Sequence, residues 1–246
     1  MENSRYKGLK IAIADSGAGG INLLKKLYYT LPAHYVYFAD LKNFPYGNKG
    51  AHELYQIGKA IVERFLDFDA VVFACNTMSQ NCLSALQNAF PNKKIIGCTP
   101  PVNQASTYTA NNFVLLATPS TIKATKRLPY CAIPLGAEEL ASLVENNQKD
   151  SEILAYLEQL FATVDKPFDC IVLGCTHYSS LKTLLYRMYP AIKIFDSVDG
   201  VANRIKKTFK SRIRGQNVFS TVQFESFDDN LLEKYSKIIS QFTEFP

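Results

Sequence analysis

The sequence has few of the residues from which metal sites and disulfide frameworks are built. It contains three histidines, and its six cysteines form neither a CxxC pair nor a metal-ligand spacing. We therefore expect no bound metal, and free thiols in a reducing compartment. No apolar run is long enough to span a membrane, and the first residues show no signal-peptide pattern. The protein is expected to be cytoplasmic and to make no membrane contact.

The chain also lacks a strong charge of either sign. Its 246 residues have a formal net charge of +5, with 47% hydrophobic and 20% charged residues, which is typical of a globular protein of one large or two modest domains. A mild positive charge favours an anionic substrate. Basic residues cluster in 201–214 around an apolar stripe. We interpret this segment as a solvated helix face, and we predict no nucleic-acid partner.

One pattern occurs twice, at an offset of 100 residues: DAVVFACNTMS over Asp69–Ser79 and DCIVLGCTHYS over Asp169–Ser179. Each copy contains a short apolar run, which predicts a buried parallel strand, and then a polar pair that predicts the N-cap of a helix. Cys75 and Cys175 therefore belong at the carboxyl ends of strands, where α/β proteins bind ligands. A helix start at this point is expected to lower a thiol pKa.

The rest of the chain predicts alternating strands and helices. Strands are expected over 9–15, 34–40, 69–75, 93–99, 113–117, 129–135, 169–175, 193–197 and 218–224, and the later helices over 138–146, 151–163, 201–214 and 229–242. Pro and Gly should exclude regular structure from 41–50. We predict two similar three-layer α/β domains with mainly parallel sheets and an active site in the cleft between them. The first domain comprises 1–98 and 208–246, and the second 99–207.

Two strand-end cysteines from two similar domains would face each other across that cleft. They could form a disulfide, provide one nucleophile and a spectator, or act as an acid and a base on opposite faces of a substrate. The separation in sequence and the lack of CxxC weigh against redox chemistry. A single nucleophile leaves the second copy unexplained. An acid and a base explain both copies and suit inversion at a carbon atom.

Four motifs in order resemble the glutamate racemases: DSGAGG (15–20), PYG (45–47), CNT (75–77) and GCTHY (174–178). The resemblance extends over nearly the whole chain. It implies a cofactor-independent isomerase that makes D-glutamate for bacterial peptidoglycan, with glutamate as its small-molecule partner. A homodimer is a further expectation.

The resemblance also implies roles for individual residues. Cys75 and Cys175 would be the two bases, assisted by Asp15 and His177. Glu145, in LASLVE, would be the partner of His177. Hydroxyls, an amide and backbone N–H groups at helix starts are suited to holding carboxylates. The implied substrate contacts are Asp15, Ser16, Tyr46, Gly47, Asn76, Thr77, Thr118, Thr121, Thr176 and His177.

The chain departs from the family pattern at several positions. Met78 and Gln80 replace small residues after CNT, Gly50 replaces a hydroxyl residue after PYG, and Ser179 replaces a proline after CTHY. None of these changes removes a proposed catalytic atom. Met78 and Gly50 are the two that could reshape the pocket or its range of substrates.

Three alternatives stay open at this point. GAGGIN, with Asp40 at the end of the next strand, could bind a nucleotide, but Asn22 replaces the third glycine of that fingerprint. The same scaffold could bind an acidic amino acid without catalysis. It could also be a racemase whose substrate is aspartate.

Overall fold

The protein is built on two parallel β-sheets. The computed structural model describes residues 8–212 and 219–228. The strands are β1 (Lys10–Asp15), β2 (His34–Ala39), β3 (Ala70–Phe73), β4 (Ile95–Gly97), β5 (Phe113–Ala117), β6 (Ala132–Gly136), β7 (Cys170–Leu173), β8 (Lys193–Phe195) and β9 (Thr221–Glu225). The α-helices are α1 (Ile21–Tyr28), α2 (Ala51–Arg64), α3 (Asn76–Ala89), α4 (Val102–Tyr108), α5 (Pro119–Ala124), α6 (Leu140–Glu145), α7 (Asp150–Phe161), α8 (Lys182–Met188) and α9 (Val198–Phe209).

The two sheets have the same strand order. The first runs β4-β3-β1-β2-β9 and the second β8-β7-β5-β6, so β5 to β8 repeat the arrangement of β1 to β4. Every strand pairing among the described residues is parallel. The first sheet is extended by β9, which pairs with β2. The predicted pair of similar parallel-sheet units is confirmed.

Each sheet is covered by helices on both faces. In β1, Ile11 and Ile13 pack toward α1 and α9, whereas the alternate residues Ala12 and Ala14 pack toward α2 and α3. The second sheet repeats this pattern, with α6, α7 and α8 on one face and α4 on the other. Side chains on successive strand residues point to opposite faces, so strands covered on both sides are apolar throughout. This arrangement gives the predicted three layers.

The strand order places both cysteines at a crevice. In the first sheet β1 has β2 on one side and β3 on the other, so the chain changes direction beyond the carboxyl ends of β1 and β3. Ligands bind at such switch points in open α/β sheets. Cys75 follows β3 at this point, and Cys175 follows β7 at the matching point of the second sheet, each two residues beyond the strand.

Several local predictions were wrong. The loop 41–50 contains two short 3-10 turns, Leu41–Asn43 and Tyr46–Asn48, because single turns need only three residues and tolerate flanking Pro and Gly. The short helix α4 was not predicted.

The buried face of α9 belongs to the core of the first sheet. The boundaries near residues 98 and 208 stay predictions, and the helix predicted over 229–242 lies outside the described residues.

Within the described ranges, no helix combines the length and apolar character needed to cross a membrane. In α9, the apolar side chains Val201, Ile205 and Phe209 are buried. Lys207 on the same helix and Lys210 directly after it are exposed. This distribution is the one expected of a solvated basic face.

Gly50 offers a test of the helix-start geometry. It is the N-cap of α2, with φ −72° and ψ 156°, it has no side-chain cap, and a Cβ there would meet no atom within 4 Å. Serine would supply the missing acceptor for a helix N–H, whereas alanine would not. We expect Gly50→Ser to be more stable than Gly50→Ala by about 1 kcal/mol in chemical unfolding. Equal unfolding midpoints would contradict this account of the helix start.

Candidate active site

A narrow cleft lies between the two sheets and contains both repeated cysteines. Its free volume for water is about 10 Å³, enough for about one water molecule. It is lined by Ser16, Phe44, Pro45, Tyr46, Gly47, Cys75, Thr77, Thr118, Glu138, Ala141, Cys175 and His177.

Cys75 lies on the side of the cleft formed by the first sheet. It is the N-cap of α3, so Asn76 and Thr77 are the first helical residues and not the cap that we predicted. Burial raises the pKa of the Cys75 thiol well above its usual value, and the negative charge of Asp15 raises it further. Backbone N–H groups of Met78 and Thr77 favour the thiolate but are outweighed. The expectation of a lowered thiol pKa is therefore wrong for Cys75.

Cys175 lies on the opposite side of the cleft beside a buried imidazole. A 3-10 segment, Thr176–Leu181, follows it in place of the predicted helix start. Its Sγ is 3.8 Å from Nδ1 of His177, whose Nε2 is 2.5 Å from Oε2 of Glu145. Burial alone would lower the pKa of His177, but hydrogen bonds to Cys175 and Glu145 outweigh it, and the pKa is raised well above 6.5. The hypothesis that Glu145 is the partner of His177 fits this contact.

The two sheets are joined at the cleft by hydrogen bonds of buried carboxylates. The backbone N–H of Ala18 donates to both oxygens of Glu145, at 3.0 and 3.1 Å. The Thr176 hydroxyl donates to Oδ2 of Asp15 at 2.9 Å, and the N–H of Ser16 donates to Oδ1 at 2.6 Å. Burial raises the pKa of Asp15, against the lowering effect of the nearby imidazolium and of the Thr176 hydrogen bond. Asp15 thus lies between the strand-end turns of both sheets.

Two glycines after β1 allow this close approach. A Cβ on Gly19 would lie 2.6 Å from Nδ1 and 2.8 Å from the backbone N of His177, and one on Gly17 would lie 2.5 Å from Oε1 of Glu145. These distances are shorter than van der Waals contact. The glycines of DSGAGG therefore serve the contact with the second sheet, and their function here is steric.

Hydroxyls join the sheets at a second point. The Thr77 hydroxyl is 3.0 Å from that of Thr118 and 3.1 Å from that of Thr121. Thr118 also caps α5 by accepting from the N–H of Thr121. Nearby, the Asn81 amide donates to Ser120 at 3.1 Å.

The PYG loop is fixed by a buried carboxylate. The Tyr46 hydroxyl donates to Oδ2 of Asp40 at 2.6 Å, and the Asn43 amide donates to the same oxygen at 2.9 Å. The ring of Phe44 packs against His177 with centroids 5.6 Å apart. Because Asp40 is engaged by this loop, the structure weighs against its use as a ribose ligand. We missed the roles of Asp40 and Phe44, although Asp40 follows β2 as Asp15 ends β1.

The side-chain amide of Asn76 is buried, and no described residue hydrogen-bonds to its nitrogen or its oxygen. An unpaired buried polar group costs about 1–3 kcal/mol. Asn76 lies between Cys75 and Thr77 but is not among the residues that line the cleft. Its amide is one donor and one acceptor for which the described part of the chain provides no partner.

The structure brings most of the predicted residues to the cleft. Ser16, Tyr46, Gly47, Cys75, Thr77, Thr118, Cys175 and His177 line it. Asp15, Thr121 and Thr176 bond to lining or neighbouring residues of the site.

The two departures expected to reshape the pocket lie away from the cleft lining. Met78 is fully buried in the core on the α2–α3 face, and Gly50 faces open space. Glu138, an exposed carboxylate on the lining, was not predicted. Across the described ranges, no cluster of three or more His, Cys, Asp or Glu side chains is placed to hold a metal ion.

The contact between the turns can be tested at Gly19. A methyl group there would push against the backbone of His177, so we expect Gly19→Ala to lower the free energy of unfolding by about 1–3 kcal/mol. Gly200→Ala is the matched control, because its Cβ would meet nothing closer than Gln104 at 4.0 Å, within α9. The control should gain up to about 1 kcal/mol from helix propensity. A Gly19→Ala protein as stable as the unsubstituted chain would contradict the packing described.

The charge of His177 predicts a dependence on pH. Its protonated form is favoured in the folded state, so its contribution to stability is complete below pH 6.5 and is lost as pH rises through the raised pKa. Glu145→Gln should lower the pKa of His177 in an NMR titration. His34, whose pKa burial and Lys10 lower, is the internal control and should not move. A His177 that titrates at or below 6.5 in the unsubstituted chain would refute the assignment.

Comparison with known proteins gives the site its context. No protein-family model matches the chain. The chain is 32% identical over 223 residues to a glutamate racemase of Leptospira borgpetersenii, a match that covers 85% of each protein.

Solved glutamate racemases share the fold. The Escherichia coli enzyme, in complex with L-glutamate and the activator UDP-MurNAc-Ala, superposes with a TM-score of 0.78 at 24% identity, covering 96% of this chain and 95% of that one. The Francisella tularensis enzyme, in complex with D-glutamate, gives 0.79 at 21%, covering 97% and 94%. Together with the identity to the Leptospira enzyme over most of both chains, this places the chain in the glutamate racemase family, a family of isomerases.

Proposed function

We propose that this protein interconverts L- and D-glutamate without a cofactor, using Cys75 and Cys175 as the two acid–base groups. The observation that supports this most directly is the presence of two strand-end thiols on the lining of one cleft, one from each of two sheets that share the order of four strands. Racemisation at a carbon atom requires removal of a proton from one face and delivery of a proton to the other. Two such thiols meet that requirement, and both copies of the repeated motif are used.

The buried polar groups suit an amino-acid zwitterion. The unpaired Asn76 amide offers a donor for a carboxylate and an acceptor for an ammonium group. The hydroxyls of Thr77 and Thr118 bond to each other between the sheets and can turn to a carboxylate instead. Ser16, Tyr46 and Gly47 line the same cleft, where the Ser16 hydroxyl is a further donor and the Tyr46 hydroxyl is already bound to Asp40. These contacts would hold the α-carbon between the two thiols.

The protonation state of Cys75 supports different roles for the two cysteines. The raised pKa of Cys75 keeps it as a thiol, the form that must donate a proton when L-glutamate becomes D-glutamate. In that direction Cys175 takes the α-proton as a thiolate, and His177, 3.8 Å away, can accept it next when its imidazole is neutral. In the reverse direction the ammonium of the substrate, close to Asp15 and Cys75, would favour the Cys75 thiolate.

The cleft must open to admit its substrate, since its free volume of about 10 Å³ holds one water and glutamate is several times larger. Closure around the substrate then excludes water, which strengthens the electrostatic interactions that stabilise the carbanion-like transition state. The contacts between the sheets, such as Thr77 with Thr118 and Asn81 with Ser120, are those that would break and re-form.

The wider role follows from the family. The solved relatives from E. coli and F. tularensis are complexes with L-glutamate and D-glutamate. We infer that glutamate is the substrate, that the product supplies peptidoglycan synthesis and cell shape, and that the protein acts in the cytoplasm. A homodimer remains a prediction.

Two other functions would use the same cleft. A racemase of aspartate would use the same thiols on a shorter substrate, and a binding protein would use the same cleft without turnover. Turnover of each amino acid by the purified chain separates the three.

The two-thiol mechanism is tested by an elimination that needs only one base. From a β-chlorinated glutamate, a thiolate takes the α-proton and chloride leaves with the electron pair of its bond, so no second proton is delivered. We expect Cys75→Ser to keep elimination from the L-configured analogue and lose it from the D-configured one, and Cys175→Ser to do the reverse. Racemisation should fall by about 10²–10⁴-fold or more in both variants.

Cys82→Ser is the matched control, because Cys82 is buried on α3 but does not line the cleft. It should keep racemisation and both eliminations. Equal loss of both eliminations in each of the two cleft variants would mean that each thiol does not serve its own face of the α-carbon. The two-thiol mechanism would then be abandoned.

A further inference from the structure

A second cavity has His177 as the one lining residue that it shares with the cleft. Its free volume for water is about 30 Å³, room for about two water molecules. Glu145 and His177 form part of its lining, together with Asn22 on α1 and Ser180 after Cys-Thr-His. Asn22 and Ser180 are exposed at the surface, whereas the carboxylate and the imidazole are buried.

A continuous series of proton-bearing contacts connects the cleft with this cavity. It begins at the Cys175 thiol, 3.8 Å from Nδ1 of His177, and continues from Nε2 to Oε2 of Glu145 at 2.5 Å. Each of the two side chains can release one proton at one end as it accepts another at the other end. The series ends at a carboxylate that lines the second cavity.

A two-base racemase has a use for such a route. After one conversion of L- to D-glutamate, Cys175 has gained a proton and Cys75 has lost one. The enzyme in that state accepts only the D-enantiomer, so before the next L-glutamate reacts, Cys175 must release its proton and Cys75 must regain one. A substrate or product in the cleft would displace the single water for which the cleft has room.

We propose that the cavity at Asn22 and Ser180 is the proton exit of Cys175, reached through His177 and Glu145. This inference rests on the proposed function. The route runs through the neutral form of His177 with its proton on Nε2: the proton leaves the Cys175 sulfur for Nδ1, the Nε2 proton passes to Glu145, and Glu145 releases one to water in the cavity. Each group regains its original proton count, except that the thiol has become a thiolate. Asn22, which stands in place of the third glycine of a nucleotide-binding turn, thus has a role at the mouth of this exit.

The test narrows the cavity without altering the cleft. Asn22→Phe adds bulk at the exposed mouth, Asn22→Leu removes polarity with little added bulk, and Asn22→Ala widens the mouth. The readout is the solvent-exchange rate of the His177 Nε2 proton, measured by NMR on the labelled full chain with saturating racemic glutamate. We expect Asn22→Phe to slow this exchange by about tenfold and Asn22→Ala to leave it unchanged or faster, because the exit of protons depends on access of water.

Equal exchange in Asn22→Phe and the unsubstituted chain would overturn the proposal, as would equal slowing by phenylalanine and alanine. Asn22→Leu should exchange at a rate between those of Asn22→Phe and Asn22→Ala, and it replaces the phenylalanine variant if that protein does not fold. A second readout is net racemisation at high substrate concentration, which should fall in Asn22→Phe and be restored by small diffusible buffers. Absence of racemisation in the unsubstituted chain would reject the proposed function, whereas the exchange measurement requires no turnover.

Discussion

The arrangement of the site depends on one contact, that between the glycine-rich turn after β1 and the Cys-Thr-His turn after β7. Glu145 accepts from the backbone of Ala18 and from His177, and Thr176 donates to Asp15. Each turn follows the carboxyl end of a central strand, so the contact sets the position of one sheet against the other. The same hydrogen bonds orient the imidazole beside Cys175. The same buried groups therefore set the position of the two sheets and orient the imidazole for the proposed proton transfer.

The use of the same buried groups for both purposes has an energetic cost, which fits a catalytic site. The cleft contains buried carboxylates, a buried imidazole and an amide without a described partner, all of which are expensive to remove from water. Burial raises the pKa values of Asp15 and Cys75 together, and thereby disfavours two negative charges side by side. A zwitterionic substrate brings an ammonium group into this environment and would relieve it. Strongly shifted pKa values in a cleft are typical of functional sites.

The sequence predicted those parts of the fold that depend on local patterns of residues. The apolar runs before Cys75 and Cys175 predicted two parallel strands, and the matched motifs predicted two sheets that face one cleft. The start of α3 at Cys75 and the short helix α4 were not predicted, since capping in these places involves the backbone more than characteristic side chains.

The direction of the Cys75 pKa was wrong for a physical reason. A helix start is visible in sequence, but the depth of burial and the proximity of Asp15 depend on how the sheets pack. The same reason applies to Asp40 and Phe44, whose contacts with Tyr46 and His177 arise only when the loop folds over the cleft. Glu145 was identified from a motif, yet its bond to Ala18 required the structure.

The most direct measurement of the central claim is the fate of the α-hydrogen of glutamate in D₂O with the purified chain, EDTA and no added cofactor. Circular dichroism and proton NMR are followed from pure L-glutamate and, separately, from pure D-glutamate. The account predicts that both ellipticities decay to zero and that the newly formed enantiomer contains deuterium at the α-carbon, while aspartate is unchanged. Unchanged ellipticity with folded protein, or turnover that appears only when pyridoxal phosphate or a metal is added, would contradict it.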